Sequence, residues 1–393
     1  MANGMAPLDS VYATILEIED YWLAHDGREV FTNLLMLVRL KWFWESTEGN
    51  IHFETQSIRD IQDKVSLNNP NEISVLFDFH ITEGNTKYAI KRLSKIKLRE
   101  VGEDVWGLLF ECLSFAQSKG EKGQYFTPTT VTKFVAHCLD LPPGAKILDP
   151  ACGSGGFLIS FGRFAKANEL VYDLHGWDYD PSAVKVARWQ SELEDVGMNV
   201  DCKNSLDLED VGEDFDCIVT NPPFSGKIEI VNQISTILSG TSFSKQKISS
   251  KPNLFFIQCL KLLKPNGLLV IVLPRGVLNN SNSKNFRASA LEEADLIASI
   301  SLHNNSFKPF TVPQTDLVIL RKKNGEFGES EKSLFAIMES CGKDGRGYTN
   351  WREQEDNEPA YSVTMRHGEN TMVVNTDWSE LFVALQSQLR RGI

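Results

Sequence analysis

Residues 147–158 read ILDPACGSGGFL, an apolar run that passes into a glycine-rich turn and then into a second apolar stretch. Ile147 and Leu148 are typical of a buried strand, and Asp149-Pro150 ends it. Three glycines within the next six residues let the backbone approach a ligand closely. Because open α/β sheets bind ligands at the carboxyl ends of their parallel strands, this stretch predicts a ligand-binding turn at a sheet edge.

Short apolar runs alternate with helical segments on both sides of this turn, from about residue 144 to about residue 323. This alternation predicts an α/β fold with a parallel, doubly wound, Rossmann-like sheet. The predicted strands are 145–148, 171–177, 215–219, 268–273, 296–302 and 316–320. The predicted helices begin at Gly153, at Pro181 and at Asn253.

The chain divides by pattern into three parts. Residues 1–118 carry apolar positions at three- and four-residue spacing and predict a helical N-terminal domain. Residues 119–325 hold the α/β pattern. Residues 326–393 form a C-terminal tail with a strand-like run at 334–337 and a final helix at 378–389.

Composition excludes several classes of protein. No apolar run reaches the roughly 18 residues of a membrane span, and the first residues do not read as a signal peptide. The seven cysteines are scattered without a C-x-x-C pair, so neither a zinc site nor a disulfide framework is expected. We therefore expect a cytoplasmic protein with reduced thiols and no bound metal. The net charge of −12 argues against a free-standing nucleic-acid binder, so DNA contact would rest on local basic stretches or on a partner.

The glycine-rich turn lacks the fingerprints of nucleotide phosphate binding. Neither G-x-G-x-x-G nor a phosphate loop ending in G-K-[ST] is present. The turn carries an acid, Asp149, and no lysine. These features suit a cationic or neutral ligand better than a pyrophosphate, although a plain strand-turn-helix junction is the alternative.

A second motif, GWDYDP at 176–181, ends the next predicted strand. An acid roughly 20–30 residues after a glycine turn commonly binds ribose hydroxyls, and Asp178 stands 29 residues after Asp149. Either acid of the motif could instead cap the helix that begins at Pro181. We assign Asp178 to a ribose and Asp180 to the cap.

A third motif, NPPF at 221–224, follows the apolar strand 215–219. The amide oxygen of Asn221 and the carbonyl of Pro222 can serve as two acceptors, because the stiff Pro222-Pro223 pair restricts the backbone that carries them. Phe224 adds a flat apolar face. This set suits a planar ring with an exocyclic amino group, and a turn with a stray aromatic residue is the alternative.

Together these motifs resemble the S-adenosylmethionine-dependent adenine-N6 DNA methyltransferases, and most closely the modification subunit of type I restriction–modification systems. The resemblance covers about residues 104–323. The stretches that carry it are 149–156 and 221–224, with further agreement at 123–128, 255–256, 262–267, 272–278, 301–307 and 315–320.

The resemblance implies S-adenosyl-L-methionine as the cofactor. It places the methionine end near Gln124–Thr129, the backbone turn at 153–156, and the ribose at Asp178. Tyr179 would pack on the adenine or in the core. The family usually has an acid after the third strand, and here Asn204 or Ser205 would take its place. The full set implied for the cofactor is Gln124, Tyr125, Phe126, Thr127, Pro128, Thr129, Asp149, Pro150, Ala151, Gly153, Ser154, Gly155, Gly156, Asp178, Tyr179, Asn204 and Ser205.

The resemblance also implies a reaction and partners. Asn221, Pro222, Pro223 and Phe224 would form the catalytic motif and grip an adenine flipped out of DNA. A separate DNA-specificity subunit is implied, since no obvious target-recognition domain remains, and the family arrangement leaves room for a restriction subunit and a second copy of the chain. No membrane contact is expected. The alternatives are a protein glutamine or RNA methyltransferase, and a degenerate methyltransferase fold that acts as a binding module.

Two further polar stretches each allow two interpretations. Residues 225–251 are expected to form a long polar loop, which either faces DNA and orders on binding or is simply mobile. The basic run at 87–99 is either a solvated helix face or a surface for phosphates or a partner.

Overall fold

A computed structural model provides the fold. The residues it describes are 7–25, 30–48, 53–68, 82–100, 127–207, 214–224, 231–248, 250–308, 314–325, 332–346, 349–355, 358–367 and 370–389. The chain divides into two compact units, one formed by Met1–Lys119 with Thr364–Val373 and the other by Gly120–Val363 with Val374–Ile393.

The first unit is mainly helical. Its helices are α1 (Pro7–His25), α2 (Val30–Glu48), α3 (Ile58–Asn68) and α4 (Glu83–Leu93). These helices agree with the helical character predicted for residues 1–118: apolar runs at 12–16 and 32–40 lie within α1 and α2, and a third apolar run, at 104–113, lies outside the described residues. In the basic run, Lys87 pairs with Glu83 and Arg92 pairs with Glu17, each at 2.6 Å, so part of its charge is neutralised within this unit.

The second unit is built on an eight-stranded sheet with the order β3-β2-β1-β4-β5-β7-β6-β8. Its strands are β1 (Lys146–Asp149), β2 (Asp173–Asp178), β3 (Met198–Cys202), β4 (Phe215–Thr220), β5 (Leu263–Pro274), β6 (Ala294–Ser301), β7 (Thr315–Lys322) and β8 (Leu334–Ile337). The predicted α/β, doubly wound fold is confirmed. The strand β1, which ends at Asp149, is an inner strand of this sheet between β2 and β4.

The prediction of an all-parallel sheet is wrong at one strand. β7 runs antiparallel to both β5 and β6, while the other paired strands of this sheet run parallel. A parallel return normally requires a crossover helix. The link from Ser301 to Thr315 has no helix among its described residues, so β7 returns beside β6 in the opposite direction.

Helices cover both faces of the sheet. They are α5 (Thr129–Cys138), α6 (Gly156–Ala167), α7 (Pro181–Glu194), α8 (Val231–Leu238), α9 (Lys251–Leu262), α10 (Arg275–Asn279), α11 (Lys284–Glu293) and α12 (Trp378–Leu389). One core cluster contains Phe134 of α5 and Phe157 of α6, and the other contains Phe256 of α9 and Phe286 of α11. Neighbouring residues of β1 divide between them, Ile147 in the first and Leu148 in the second, as alternation along a strand requires.

The expected loop at 225–251 contains a helix and contributes side chains to the core. Residues 225–230 lie outside the described part of the chain, but α8 follows, and Phe243 and Ile248 are buried in the second cluster. The hydroxyl of Ser242 donates to Glu293 Oε1 at 2.5 Å, which fastens this segment to α11. The scattered apolar residues were too few to predict this packing from periodicity.

The C-terminal residues are distributed over both units. β8 extends the main sheet beside β6, and α12 packs through Trp378 against Phe134. A short strand β9 (Trp351–Glu353) precedes an antiparallel hairpin of β10 (Thr364–His367) and β11 (Asn370–Val374). Within the described residues, no helix has both the length and the apolar character needed to cross a membrane.

Candidate active site

The predicted site residues meet where four adjacent strands end. Asp149 pairs with Gly176 across β1 and β2, so Asp178 lies two residues beyond that level, and Asp178 in turn pairs with Cys202 at the end of β3. On the other side of β1, Leu148 pairs with Ile218 of β4. The turns after β3, β2, β1 and β4 therefore lie side by side at the carboxyl edge of the sheet.

The turn after β1 depends on glycine at two positions. Gly153 and Gly155 have φ values of +53° and +89°, a region that residues with a Cβ rarely adopt. A Cβ on Gly155 would come within 3.3 Å of Met198 Cε, whereas a Cβ on Gly153 would meet no atom of the described residues within 4 Å. Gly155 thus permits close packing of the turn, and Gly153 faces open space in which a ligand could lie.

Asp178 connects β2 to this turn. Its Oδ2 accepts the backbone N–H of Gly153 and its Oδ1 accepts the backbone N–H of Asp180, both at 2.9 Å. The residue is 7% exposed, and burial raises the pKa of its carboxyl while the donated N–H groups oppose the shift. Each carboxylate oxygen has a second lone pair, so the fixed group can still accept a ligand hydroxyl.

Asp180 has the capping role predicted for it. Its side chain accepts the N–H of Ser182 at 2.9 Å at the N-terminus of α7, which begins with Pro181. The assignment of this acid to the helix cap is confirmed.

Asp149 is an acid buried at the centre of the site. It is 2% exposed, and its Oδ1 accepts the N–H of Ala151 at 3.1 Å. Burial raises the pKa of Asp149 to about 7, the charge of Asp178 adds to the rise, and donors at Ala151 and Thr220 oppose it. A cation bound beside Asp149 would favour its ionised form.

The segment after β3 is held by its own side chains. The Ser205 hydroxyl, which is buried, donates to the Pro150 carbonyl at 2.5 Å and so fastens this segment to the turn after β1. The Asn204 amide donates to Asp207 Oδ2 at 2.8 Å and accepts the N–H of Leu206 at 3.1 Å. The first acid after β3, Asp207, is therefore hydrogen-bonded to Asn204, and the cofactor role of Asn204 and Ser205 stays a prediction.

Tyr179 is exposed rather than packed in the core. It follows Asp178 directly and is 53% exposed, whereas its neighbour Trp177 is buried. Of the two roles considered for Tyr179, the core role is excluded, and a ring available to pack on a ligand remains.

The NPPF motif directly follows β4, so that Asn221 comes immediately after the last strand residue, Thr220. Thr220 pairs with Ile271 of β5, so Asn221 stands between the turn after β1 and the last residues of β5. Pro222 is buried, and Asn221 and Phe224 are half-buried. Phe224 packs against the first core cluster, which fixes one side of its ring.

The helix α5, which precedes β1, also lies beside the candidate site. The hydroxyls of Thr132 on α5 and Ser160 on α6 lie 2.8 Å apart, and a Cβ on Gly156 would lie 4.0 Å from Thr132 Cγ2. The first turn of α5, which follows Thr127 and Pro128 and begins at Thr129, thus lies beside the glycine turn. Gln124, Tyr125 and Phe126 lie outside the described residues.

The residues at this edge fit a cationic nucleoside better than a metal. Asp178 is fixed to accept hydroxyls, Gly153 leaves open space, Tyr179 offers an exposed ring and Asp149 supplies a buried acid. In the described part of the chain, no group of three or more His, Cys, Asp or Glu side chains is arranged to hold a metal ion.

The comparison that decides the family covers most of the chain. The model of the N-6 DNA methylase family matches residues 101–379. The chain belongs to the N-6 DNA methylase family. This match confirms the resemblance found in the motifs at 149–156 and 221–224.

Relatives of the chain include methylase subunits of type I restriction enzymes. The EcoEI methylase subunit of Escherichia coli is 27% identical over 252 residues, which is 60% of this chain and 50% of the relative. The MjaIX methylase subunit of Methanocaldococcus jannaschii is 28% identical over 229 residues, covering 54% of this chain and 40% of the relative. The chain spans about half the length of these two relatives or less.

A solved structure shares the fold of the chain over nearly its whole length. The methyltransferase subunit of a type I restriction–modification system from Streptococcus thermophilus superimposes with a TM-score of 0.60 at 18% identity. The match covers 97% of this chain and 93% of that one. At this identity the likeness establishes the fold.

Proposed function

We propose that the chain transfers a methyl group from S-adenosyl-L-methionine to N6 of adenine in DNA. The observation that carries the proposal is the adjacency of two strand ends: NPPF follows β4 directly beside the β1 turn that holds Asp149 and Gly153. The amino-group acceptors and the cofactor turn thus share one edge of the sheet. Membership of the N-6 DNA methylase family supports the same reaction.

Asn221 and Pro222 would act on the amino group of the target base. The lone pair of N6 is delocalised into the purine ring, so this nitrogen is a weak nucleophile. Acceptance of its two hydrogens by the Asn221 side chain and the Pro222 carbonyl favours a more tetrahedral nitrogen. The same acceptors stabilise the positive charge that develops on N6 during attack.

Phe224 would hold the base outside the duplex. An adenine cannot be reached inside the stack, so the enzyme must extrude it. Stacking on an aromatic side chain contributes about 1–3 kcal/mol per base. The half-buried ring of Phe224, supported on one side by the first core cluster, offers such a surface beside Asn221.

The remaining site residues would bind the cofactor. When bound, S-adenosylmethionine supplies an electrophilic methyl group on a positively charged sulfur. Asp178 would accept its ribose hydroxyls, Tyr179 would pack on its adenine, and Asp149 would favour its positive charge. The turn at 153–156 and the segment Gln124–Thr129 would enclose the rest, and Asp207 joins Asn204 and Ser205 as a candidate on the adenine side.

The chain would work as the modification subunit of a larger assembly. The two relatives are named as methylase subunits of type I restriction enzymes. A net charge of −12 is unusual for a protein that reads DNA alone. We therefore propose DNA as substrate and a specificity subunit as partner, with a restriction subunit and a second copy of the chain as further members. An enzyme of genomic DNA would act in the cytoplasm.

Methyl transfer identifies the substrate directly. Purified chain, alone and with co-purifying subunits, is incubated with isotope-labelled S-adenosylmethionine and with DNA, RNA or protein from the native source. Labelled N6-methyladenine in DNA, reduced in the Asn221→Ala variant, is the expected result. Label confined to RNA or to protein glutamine contradicts the proposal. Cofactor binding without transfer to any acceptor, even with every co-purifying subunit, favours a binding module instead.

A further inference from the structure

The edge formed by the carboxyl ends of β5 and β6 and the amino end of β7 lies beside the proposed methyl-transfer site, and its described charged residues are mainly basic. The described residues here are 275–284, 302–308 and 314–316, and they carry Arg275, Lys284, Lys308 and one acid, Asp316. The whole chain has a net charge of −12. A local excess of cations in an acidic protein points to an anionic partner at this edge.

Arg275, directly after β5, is fixed across this edge. Its Nη1 donates to Gln314 Oε1 at 2.8 Å, and its Nη2 reaches the Leu302 carbonyl at 3.5 Å. Its backbone N–H donates to the Gln314 carbonyl at 2.8 Å. These contacts hold the guanidinium over the start of β7 and the end of β6.

Asp316 lies beneath the guanidinium. Its Oδ1 is 3.5 Å from Arg275 Nε and accepts the hydroxyl of Ser301 at 2.5 Å. The Asp316 side chain is 3% exposed, whereas that of Arg275 is 26% exposed. The acid is therefore enclosed by protein, whereas the Arg275 side chain is partly exposed.

The guanidinium keeps donors for a ligand. Arginine carries five N–H groups, and two of them make the side-chain hydrogen bonds to Gln314 and Leu302. A planar fork of this kind matches two oxygens of a phosphate, and a neighbouring carboxylate holds it in one orientation. The Nε atom is buried beside Asp316, so the donors open to a ligand are the remaining N–H groups of Nη1 and Nη2.

The position of Arg275 suits the backbone of an extruded nucleotide. Thr220 of β4 is level with Ile271, so Arg275 stands four residues beyond that level on β5. The guanidinium reaches over β7, two strands from β4, which corresponds to about 10 Å at the usual strand spacing. It thus lies to the side of Asn221 and nearer to solvent, where phosphates that flank a flipped base would pass.

We propose that Arg275, positioned by Asp316, binds a DNA phosphate next to the extruded adenine, with Lys284 and Lys308 on the same phosphate-binding edge. This inference rests on the proposed function, because it takes DNA as the substrate. Arg275 is the contact residue and Asp316 is a positioning residue. The competing interpretation is a purely structural link that joins the ends of β5, β6 and β7.

Salt-dependent DNA binding separates the two interpretations. Affinity of the full chain, in the complex in which it purifies, is measured for one duplex between about 50 and about 200 mM salt. Arg275→Gln should weaken binding roughly tenfold at low salt and lower the slope of log affinity against log salt by about 1. Arg275→Lys keeps the charge and should keep the parental slope.

The positioning role of Asp316 has its own signature. Asp316→Asn should raise the KM for DNA while leaving the salt slope unchanged, because the charge of Arg275 remains. In the Arg275→Gln background, Asp316→Asn should add no further loss of DNA affinity, since the two residues act as one unit. Additive losses in the double variant contradict the positioning role.

The control lies at the opposite edge of the sheet. Arg163 on α6 pairs with Glu194 at the C-terminus of α7 at 2.7 Å, so Arg163→Gln removes the same charge far from the site. Its slope should match the parent. If Arg275→Gln does not fold, the exposed Lys284→Gln tests the same edge and should also lower the slope by about 1.

The inference is overturned if Arg275→Gln keeps the parental slope of log DNA affinity against log salt, whether or not its melting temperature falls. If Arg275→Gln does not fold, the same result in Lys284→Gln overturns it. An equal fall of slope in Arg163→Gln overturns it as well. Failure of the proposed function gives a different result: the parent itself transfers no methyl group to DNA, whatever the slopes are.

Discussion

Gly153 donates its backbone N–H to Asp178 Oδ2 at 2.9 Å, so the turn that ends β1 is fixed by the acid that ends β2. The same carboxylate accepts the N–H of Asp180 through its other oxygen. One buried side chain therefore sets the position of the glycine turn and of the chain that leads into α7. The proposed cofactor site is therefore organised around Asp178.

Asp178→Asn should impair cofactor binding. An amide offers one acceptor oxygen where the carboxylate offers two, so its NH2 group must face the N–H of Gly153 or of Asp180. We expect the Kd for S-adenosylmethionine to rise at least about tenfold, measured by calorimetry. Asp180→Asn is the matched control, because asparagine caps helices as well as aspartate does. Equal affinities of the two variants and the parent would contradict the role of Asp178.

Alanine at the two left-handed glycines should separate stability from binding. Gly155→Ala brings its Cβ within 3.3 Å of Met198 Cε at a φ of +89°, so we expect a loss of about 1–3 kcal/mol in the free energy of unfolding. Among the residues that the structure describes, the new Cβ of Gly153→Ala meets no atom within 4 Å, so the change should cost only about 1–2 kcal/mol. Its methyl group enters the proposed cofactor space, so cofactor affinity should fall much more than stability. Denaturant unfolding and calorimetry measure the two effects, and unchanged affinity in Gly153→Ala would place the cofactor elsewhere.

Asp149 should make stability depend on pH. Burial raises its pKa from the ordinary value of 3.8 to about 7, so between these pH values the folded chain holds a proton that the unfolded chain has lost. The free energy of unfolding should therefore fall as pH rises through this window and level off above pH 7, by at most on the order of 4 kcal/mol. The Asp149→Asn variant should lack this pH dependence. The free energies of unfolding of parent and variant, plotted against pH, should therefore differ in slope between about pH 4 and pH 7, and parallel curves would contradict the expectation.

The same acid should distinguish the cofactor from its product. Ionised Asp149 favours a positive ligand, so affinity for S-adenosylmethionine should rise with pH up to about 7. The demethylated product lacks the sulfonium charge and should show a weaker pH dependence. Calorimetry of both ligands across this range checks the expectation, and identical pH profiles would show that Asp149 does not respond to the charge.

Phe224→Ala should weaken the use of DNA while sparing the cofactor. Loss of a stacking surface worth about 1–3 kcal/mol corresponds to a fall of roughly 5- to 150-fold in kcat/KM for DNA. Phe224→Trp keeps an aromatic face and should retain most of the activity. Cofactor affinity measured in parallel shows whether the effect is confined to the base. Equal activity of the alanine and tryptophan variants would argue against stacking.

Sequence motifs predicted the strands at the sheet centre because each motif combined a buried strand with unusual turn residues, and the roles of the site residues stay predictions. The strands around Ile147, Ile218 and Leu320 are apolar on both faces, which leaves a strong local signal. β3 was not predicted as an element, because among Met198–Cys202 only Val200 is buried. An edge strand of this kind takes its structure from its neighbour, here through pairs such as Asp178 with Cys202.

Other features depend on contacts between distant residues and could not be inferred from local pattern. The antiparallel direction of β7 follows from the return of the chain after Ser301. The hydrogen bonds from Ser205 to Pro150 and from Gly153 to Asp178 join residues 55 and 25 positions apart. The pairing of Arg275 with Asp316 likewise exists only once β5 and β7 lie side by side.

Methyl transfer by the Asn221→Ala variant tests the central claim most directly. Single-turnover transfer from S-adenosylmethionine to DNA is measured beside cofactor affinity for the variant and the parent. Loss of an acceptor that acts on the reacting nitrogen should slow transfer by about 100-fold or more, while the cofactor Kd stays within about twofold. Transfer within a few-fold of the parental rate would show that Asn221 does not hold the amino group, and the proposed mechanism would be wrong.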